Sequence, residues 1–209
     1  MRYTEAQINS LRDRVRASMS DFRFIHTAEV EKMAVRLAKL YAPDSIDTVR
    51  VAALLHDITK EKSRTEQIEM LEREGETVSE LDRELYKTLH ARTAVYAIKE
   101  QYPEFADPEV LSAVRYHTTG RADMSACESV IFLADYIDES RKFDDCVYLR
   151  ELFWNAEPEK MDQSERVIHL WKTLLVAFDM TIRALNEEKS PISNESIEAR
   201  NSLILKLNG

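Results

Sequence analysis

Apolar residues recur every three or four positions along most of this chain, the period of helices that bury one face. Thr4 precedes a first such segment, in which Ile8, Leu11, Val15 and Met19 form one stripe. A second runs from about Phe22 to Tyr41, with Ile25, Val30, Met33, Leu37 and Leu40 on its buried face, and Pro43 stops it. Asp44 to His56 reads as a third helix, ending in the apolar run Val51-Ala52-Ala53-Leu54-Leu55 before His56-Asp57. The polar stretch Lys60 to Glu80 holds a short helix around Ile68 and Leu71 that ends near Gly75. Further helices are predicted at about 80–89, 91–102, 108–117, 125–138 and 145–154. Asp107-Pro108 is a good helix start, and Ser125 with Glu128 makes a capping box. A long helix at about 164–187 carries Val167, Leu170, Trp171, Leu174, Leu175 and Phe178, and Ser193 or Asn194 caps a last one to about Leu207.

The pattern therefore predicts an all-α protein of one domain, since no repeat, low-complexity tract or linker breaks it. Residues 1–20 are expected to form an amphipathic helix packed on the domain, 21–155 the functional core, and 156–209 the helices that complete it. Composition agrees. The 209 residues contain only three glycines, Gly75, Gly120 and Gly209, too few for the turns of an all-β or dinucleotide-binding fold. No glycine-rich phosphate loop is present.

A formal net charge of −9 sets the chain against nucleic-acid polymers and anionic membranes. A phosphate substrate would need local cations. Cys127 and Cys146 have no metal-ligand spacing, which suits a reducing compartment. The first residues are charged, unlike a signal peptide, and no apolar run has the length of a membrane span. A cytoplasmic location is expected.

Candidate chemistry lies in four of the five histidines and two aspartates. His56-Asp57 closes the apolar third helix, and Asp135 follows Val130-Ile131-Phe132-Leu133-Ala134. Ionised carboxylates at such positions are costly unless compensated. His26 lies near the start of one helix, and His90 and His117 each read as ending one. Several helices could bring these groups to one spot inside a bundle, where metal sites are built. His169 sits mid-helix among core residues and is assigned to packing, as are Trp154 and Trp171.

The order His26, His56-Asp57, His90, His117, Asp135 resembles the HD-domain metal-dependent phosphohydrolases. Ile25-His26-Thr27, His56-Asp57-Ile58-Thr59-Lys60, Arg115-Tyr116-His117-Thr118-Thr119-Gly120-Arg121 and Ala134-Asp135-Tyr136-Ile137-Asp138-Glu139-Ser140-Arg141 are similar to the YqeK family, the HD-type symmetrical bis(5′-nucleosyl)-tetraphosphatases. The resemblance covers roughly residues 21–155. It implies an HD-type helical bundle and two metal ions, with iron favoured and manganese or another transition metal acceptable. His26, His56, Asp57, His90, His117 and Asp135 are the implied ligands, with Asp57 as the bridge.

The implied reaction splits diadenosine tetraphosphate in the middle, giving two ADP. Two metals can activate a hydroxide between them and clamp a phosphate oxygen. Lys60, close after Asp57, is a candidate to hold a bridging phosphate or aid the leaving diphosphate, and so acts in catalysis and binding alike. Thr118, Thr119, Gly120, Arg121 and Arg141 are candidate phosphate contacts. Tyr116, Tyr136 and Phe143 could stack on adenine or serve as core. Two positions depart from the family pattern: Ala91 follows the third histidine where glycine is usual, and Asp138-Glu139-Ser140 precedes Arg141 where Glu-Pro is usual. Alternatives from the same residues are an HD phosphohydrolase for a mononucleotide, cyclic nucleotide or guanosine alarmone, and a non-catalytic nucleotide-binding module. The expected partner is a small nucleotide. Oligomeric state is left open, a homodimer being compatible.

Overall fold

Most helices begin where a side chain can take up the free amides of the first turn. In the computed structural model, which describes residues 2–209, the elements are α1 (Glu5–Ser18), α2 (Asp21–Tyr41), α3 (Ile46–Leu55), α4 (Arg64–Arg73), α5 (Glu80–Glu84), α6 (Leu89–Gln101), α7 (Pro108–Arg115), α8 (Ala126–Ile137), α9 (Asp144–Asn155), α10 (Gln163–Glu187) and α11 (Asn194–Asn208). No strand occurs among the described residues. Thr4, Ser63, Ser79, Ser125 and Asp162 form reciprocal capping boxes, while Ser20 and Asp107 cap α2 and α7 singly.

Two predicted boundaries move. The segment from Asp44 starts as a 3-10 turn at Pro43–Ser45, so α3 begins at Ile46 and stops at Leu55, one residue before His56. The helix expected over 80–89 breaks into α5 and a 3-10 turn at Tyr86–Thr88, and a new helix starts at Leu89. Neither of the first two pieces has a buried residue to anchor it.

Helix α3 is the centre of the bundle. Val49 and Val51 through Leu55 are all buried, as expected of a short helix that is apolar all round. Helices α1, α2, α7 and α8 pack around it. One hydrophobic core runs from Tyr3 through Val30, Leu54, Val114, Ile131 and Phe178 to Leu203, with full burial of each Leu or Phe worth about 1.5–3 kcal/mol. A smaller cluster of Ile68, Leu71, Val78 and Leu89 holds α4 in place.

On α2, Val30, Met33 and Leu37 face inward as the pattern predicts, and Leu40 is half-buried. Ile25 is not inward: it is 60% exposed. The inward position in that turn belongs to His26, about 100° further round the helix. The buried stripe of α2 becomes polar there, and the centre described next begins at that point.

Candidate metal centre

Five segments deliver six side chains to one place. His26 comes from the second turn of α2, His56 and Asp57 from the turn after α3, His90 from the first turn of α6, His117 from the turn after α7, and Asp135 from the last turn of α8. The sequence pattern puts His90 at the end of a helix; the break at Tyr86–Thr88 makes it open α6 instead. His56, Asp57, His90 and His117 are almost wholly buried.

Asp57 divides its carboxylate between two pairs of imidazoles. Oδ1 lies 3.2 Å from His90 Nε2 and 3.7 Å from His117 Nε2. Oδ2 lies 3.5 Å from His56 Nε2 and 3.8 Å from His26 Nε2. Asp135 Oδ1 closes the second group, 3.0 Å from His26 Nε2 and 3.8 Å from His56 Nε2.

Backbone and second-layer contacts fix which ring nitrogen faces inward. His56 Nδ1 and His117 Nδ1 donate to the carbonyls three residues back, Ala53 O and Val114 O, each at 2.7 Å. The lone pairs are thereby left on Nε2. His26 Nδ1 is 3.2 Å from Ser140 Oγ and 3.4 Å from Asp138 Oδ2. In each ring the outer nitrogen is oriented and the inner one left for something else.

The inner nitrogens of His26 and His56 do not satisfy one another. His26 Nε2 and His56 Nε2 are buried without a hydrogen-bond partner, although Asp135 Oδ1 is only 3.0 Å from the first. Such atoms aim at shared points rather than at each other. On the other side His90 Nε2 and His117 Nε2 are 3.0 Å apart, within hydrogen-bond reach of each other. Buried polar groups are rarely orphaned without a reason. Imidazole and carboxylate donors with oriented outer nitrogens fit one or more transition-metal cations, and two compact sets share Asp57: it meets His26 and His56 on one side, His90 and His117 on the other.

Electrostatics follow from this crowding. Burial pushes the Asp57 carboxyl up, but His56, His117 and His90 outweigh it and hold the group well below the usual carboxylate range. Burial acts the same way on Asp135, where Arg141 and His26 prevail and keep it low. Desolvation lowers His90 to about 4 and lowers His117 as well. His26 goes the other way, up to about 9, because Asp135 and Asp138 overcome its desolvation. Lys60 is part-buried, which lowers its pKa, and its Nζ sits 3.2 Å from His90 Nε2.

Arg141 Nη2 donates to Asp135 Oδ1 at 2.5 Å, and its Nε faces Asp138 Oδ2 at 3.3 Å. Three residues at the centre escaped the sequence reading. Arg23 Nη1 donates to Asp57 Oδ2 at 2.7 Å, Asp138 backs His26, and the Ser140 hydroxyl donates to Asp138 Oδ1. The available signal was spacing: Arg23 lies three residues before His26 and Asp138 three after Asp135, which puts each pair on one side of a helical turn. A cleft of about 500 Å³ opens at this end, lined by Phe22, Arg23, His26, Arg141, Lys142 and Phe143. Phe22 and Phe143 are 79% and 72% exposed, so Phe143 is not a core residue.

The loop after His117 engages the neighbouring helices. Thr119 Oγ1 donates to Glu195 Oε2 at 2.7 Å, and Arg121 pairs with buried Glu128 at 2.9 Å. Gly120 has φ +62°, and a Cβ there would come within 2.5 Å of the Phe178 ring. These three contact α11, α10 and α8 respectively. Thr118 keeps an Oγ1 without a partner. Tyr116 is flanked by the Arg115 and Arg121 guanidinium groups. His169 donates to Phe153 O at 3.0 Å and stacks on the Phe153 ring, Trp154 packs edge-on against Phe153, and Trp171 packs on the core, all in keeping with packing roles.

The HD domain model matches residues 23–140. The chain belongs to the HD-domain family. All six converging residues lie within the matched HD domain, as do Arg23, Asp138 and Ser140, while Arg141 follows directly after it. The chain is 31% identical to the symmetrical bis(5′-nucleosyl)-tetraphosphatase of Halalkalibacterium halodurans, over 92% of this chain and 94% of that protein. It is 34% identical to the protein of the same name from Bacillus subtilis, over 66% of this chain and 73% of the other. The crystal structure of a protein from Clostridium acetobutylicum, described as a predicted HD superfamily hydrolase involved in NAD metabolism, superposes with a TM-score of 0.80 at 31% identity, covering 95% of this chain and 97% of that one. No helix among the described residues is long and apolar enough to cross a membrane.

Proposed function

We propose that this HD-domain protein is a metal-dependent hydrolase that splits diadenosine tetraphosphate symmetrically into two ADP. The observation that carries the reading is Asp57, whose two oxygens each face a separate pair of imidazoles. That arrangement supports a pair of cations bridged by one carboxylate. The names of the relatives support the substrate.

His26, His56, Asp57 and Asp135 would hold one cation, and Asp57, His90 and His117 the other. Bound there, two such cations lower the pKa of water and draw charge off phosphoryl oxygens. Mixed imidazole and carboxylate donors suit iron, with manganese or zinc as competitors. The chain's own groups do the rest. Lys60 and Arg23 stand beside the cluster and bind the bridging phosphates, Lys60 acting also on the leaving diphosphate. Arg141 spends one face on Asp135 and presents the other to the cleft that it lines, a geometry fit for bidentate phosphate contact. The unpaired Thr118 hydroxyl is a further candidate donor. Phe22 and Phe143, exposed on the same cleft, supply apolar faces for an adenine. Residues 21–155 form the catalytic core in this reading, with 1–20 and 156–209 supporting it. A nucleotide substrate and two unpaired, buried cysteines go with a cytoplasmic enzyme.

The deciding experiment combines metal analysis with a product-resolved assay. Purified protein should carry close to two iron or manganese ions per chain and release only ADP from diadenosine tetraphosphate. ATP plus AMP as products, or turnover after complete metal removal, rejects the assignment.

A further inference from the structure

A second cleft, of about 400 Å³, opens on the other side of the cluster. Lys60, Lys62, Arg64, Tyr86, Lys87 and His90 line it. The two clefts meet opposite oxygens of one carboxylate: His26, in the first, faces Asp57 Oδ2, whereas His90, in the second, faces Oδ1 at 3.2 Å.

The lining is chemically unusual for this molecule. The chain carries 38 acidic against 29 basic side chains, yet four cations and no carboxylate line this hollow. Two of the cations are only loosely paired, Arg64 with Glu84 and Lys87 with Glu188, each at 3.6 Å. Such ion pairs on the surface contribute little and yield readily to a ligand. Tyr86 is 45% exposed, with the Arg64 guanidinium 5.5 Å from its ring centre. An aromatic face beside several cations is what a nucleotide needs: stacking for the base and charge for its phosphates.

The first cleft has the same composition in other residues, with Phe22 and Phe143 for the ring and Arg23, Arg141 and Lys142 for the charge. A substrate with a nucleoside diphosphate on each side of the cleaved bond is matched by such a duplicated site, one half on each side. We propose that the Tyr86 cleft binds the second nucleoside diphosphate half of the substrate, while the Phe22–Phe143 cleft binds the first. This inference rests on the proposed function and adds to it. Arg64 and Tyr86 become specificity residues for a nucleoside at both ends.

The test is the number of ADP molecules bound per manganese-loaded chain, by calorimetry or equilibrium dialysis. The native protein should bind two. The double variant Arg64→Ala/Tyr86→Ala, altered only at exposed positions, should bind one and show a KM for diadenosine tetraphosphate raised roughly tenfold or more, as loss of a base–aromatic stack implies. Fewer than two ADP on the native chain, or an unchanged count in the variant, overturns the proposal. Failure of the native enzyme to form ADP from diadenosine tetraphosphate sinks the proposed reaction instead, and the ADP count still decides the cleft.

Discussion

Asp138 stands behind His26, its Oδ2 3.4 Å from the ring Nδ1. The carboxylate is itself fully buried and held by Ser140 and Arg141. It fixes the outer nitrogen of a ring whose inner nitrogen faces Asp135. Carboxylates in this position orient the ligand and raise its basicity, and removing one typically costs about 10–100-fold in metal affinity. Asp138→Asn should therefore bind manganese about that much more weakly in a chelator competition, with its helical circular dichroism unchanged. Native affinity in this variant excludes the orienting role.

Asp57 serves both halves of the centre, so its loss is expected to empty both. Asp57→Ala should retain no stoichiometric metal and no turnover. The change also leaves Arg23 and two pairs of imidazoles without their carboxylate. Breaking a buried pair from one side costs roughly 3–5 kcal/mol, and the midpoint of thermal unfolding should fall while the helical signal at room temperature survives. Persisting activity shows that Asp57 is not a ligand.

The metal-free protein should have a stability maximum near pH 6.5. His26 is raised to about 9 in the fold, against about 6.5 unfolded. Its contribution is complete below pH 6.5 and disappears as the pH rises towards 9. His90 is lowered to about 4, so its contribution is present above pH 6.5 and disappears as the pH falls towards 4. Each follows from which state binds the extra proton. Thermal midpoints of chelator-treated protein across pH 4–9 check this. Because a cation must displace the proton of His26, manganese binding should also release protons at neutral pH, measurable by titration in buffers of differing ionisation enthalpy. A flat profile and no released proton would contradict both statements.

Gly120 tests the packing of the loop after His117. Its φ of +62° opposes a side chain, and so does the Phe178 ring, which a Cβ at this position would approach to 2.5 Å. Backbone strain of about 1–3 kcal/mol and overpacking of similar size are expected in Gly120→Ala, lowering the unfolding midpoint by roughly 2–4 °C per kcal/mol. Metal content and kcat of the folded fraction should stay near native. A loss of phosphate affinity without loss of stability would instead make Gly120 a substrate contact.

The convergence of the six residues was legible because packing gives no reason for aspartates and histidines inside apolar helices. Their order along the chain then led to the family. Less legible was the direction taken after each motif. Thr119, Gly120 and Arg121 follow His117 within four residues, but they meet Glu195, Phe178 and Glu128, with the backbone left-handed at Gly120. Adjacency in sequence does not encode those contacts. Ile25 departs from the pattern for a related reason: a polar residue, His26, occupies the face that periodicity reserves for an apolar one. Arg23 and Asp138 are not legible from the motif because each touches a member of the His/Asp pattern without belonging to it.

The last helix grips the loop around His117 from both sides. Glu195 takes Arg115 at 2.7 Å and Thr119 at 2.7 Å, and the Ser196 hydroxyl donates to Thr119 O at 3.0 Å. The histidine between those anchors is splinted by residues nearly eighty positions downstream. A chain cut short before Ser193 keeps every donor atom of the centre yet loses the brace on one of them. Damage at the far end of the polypeptide would thus surface as a wavering imidazole deep in the bundle, and inheritance of the motif alone does not guarantee a working enzyme.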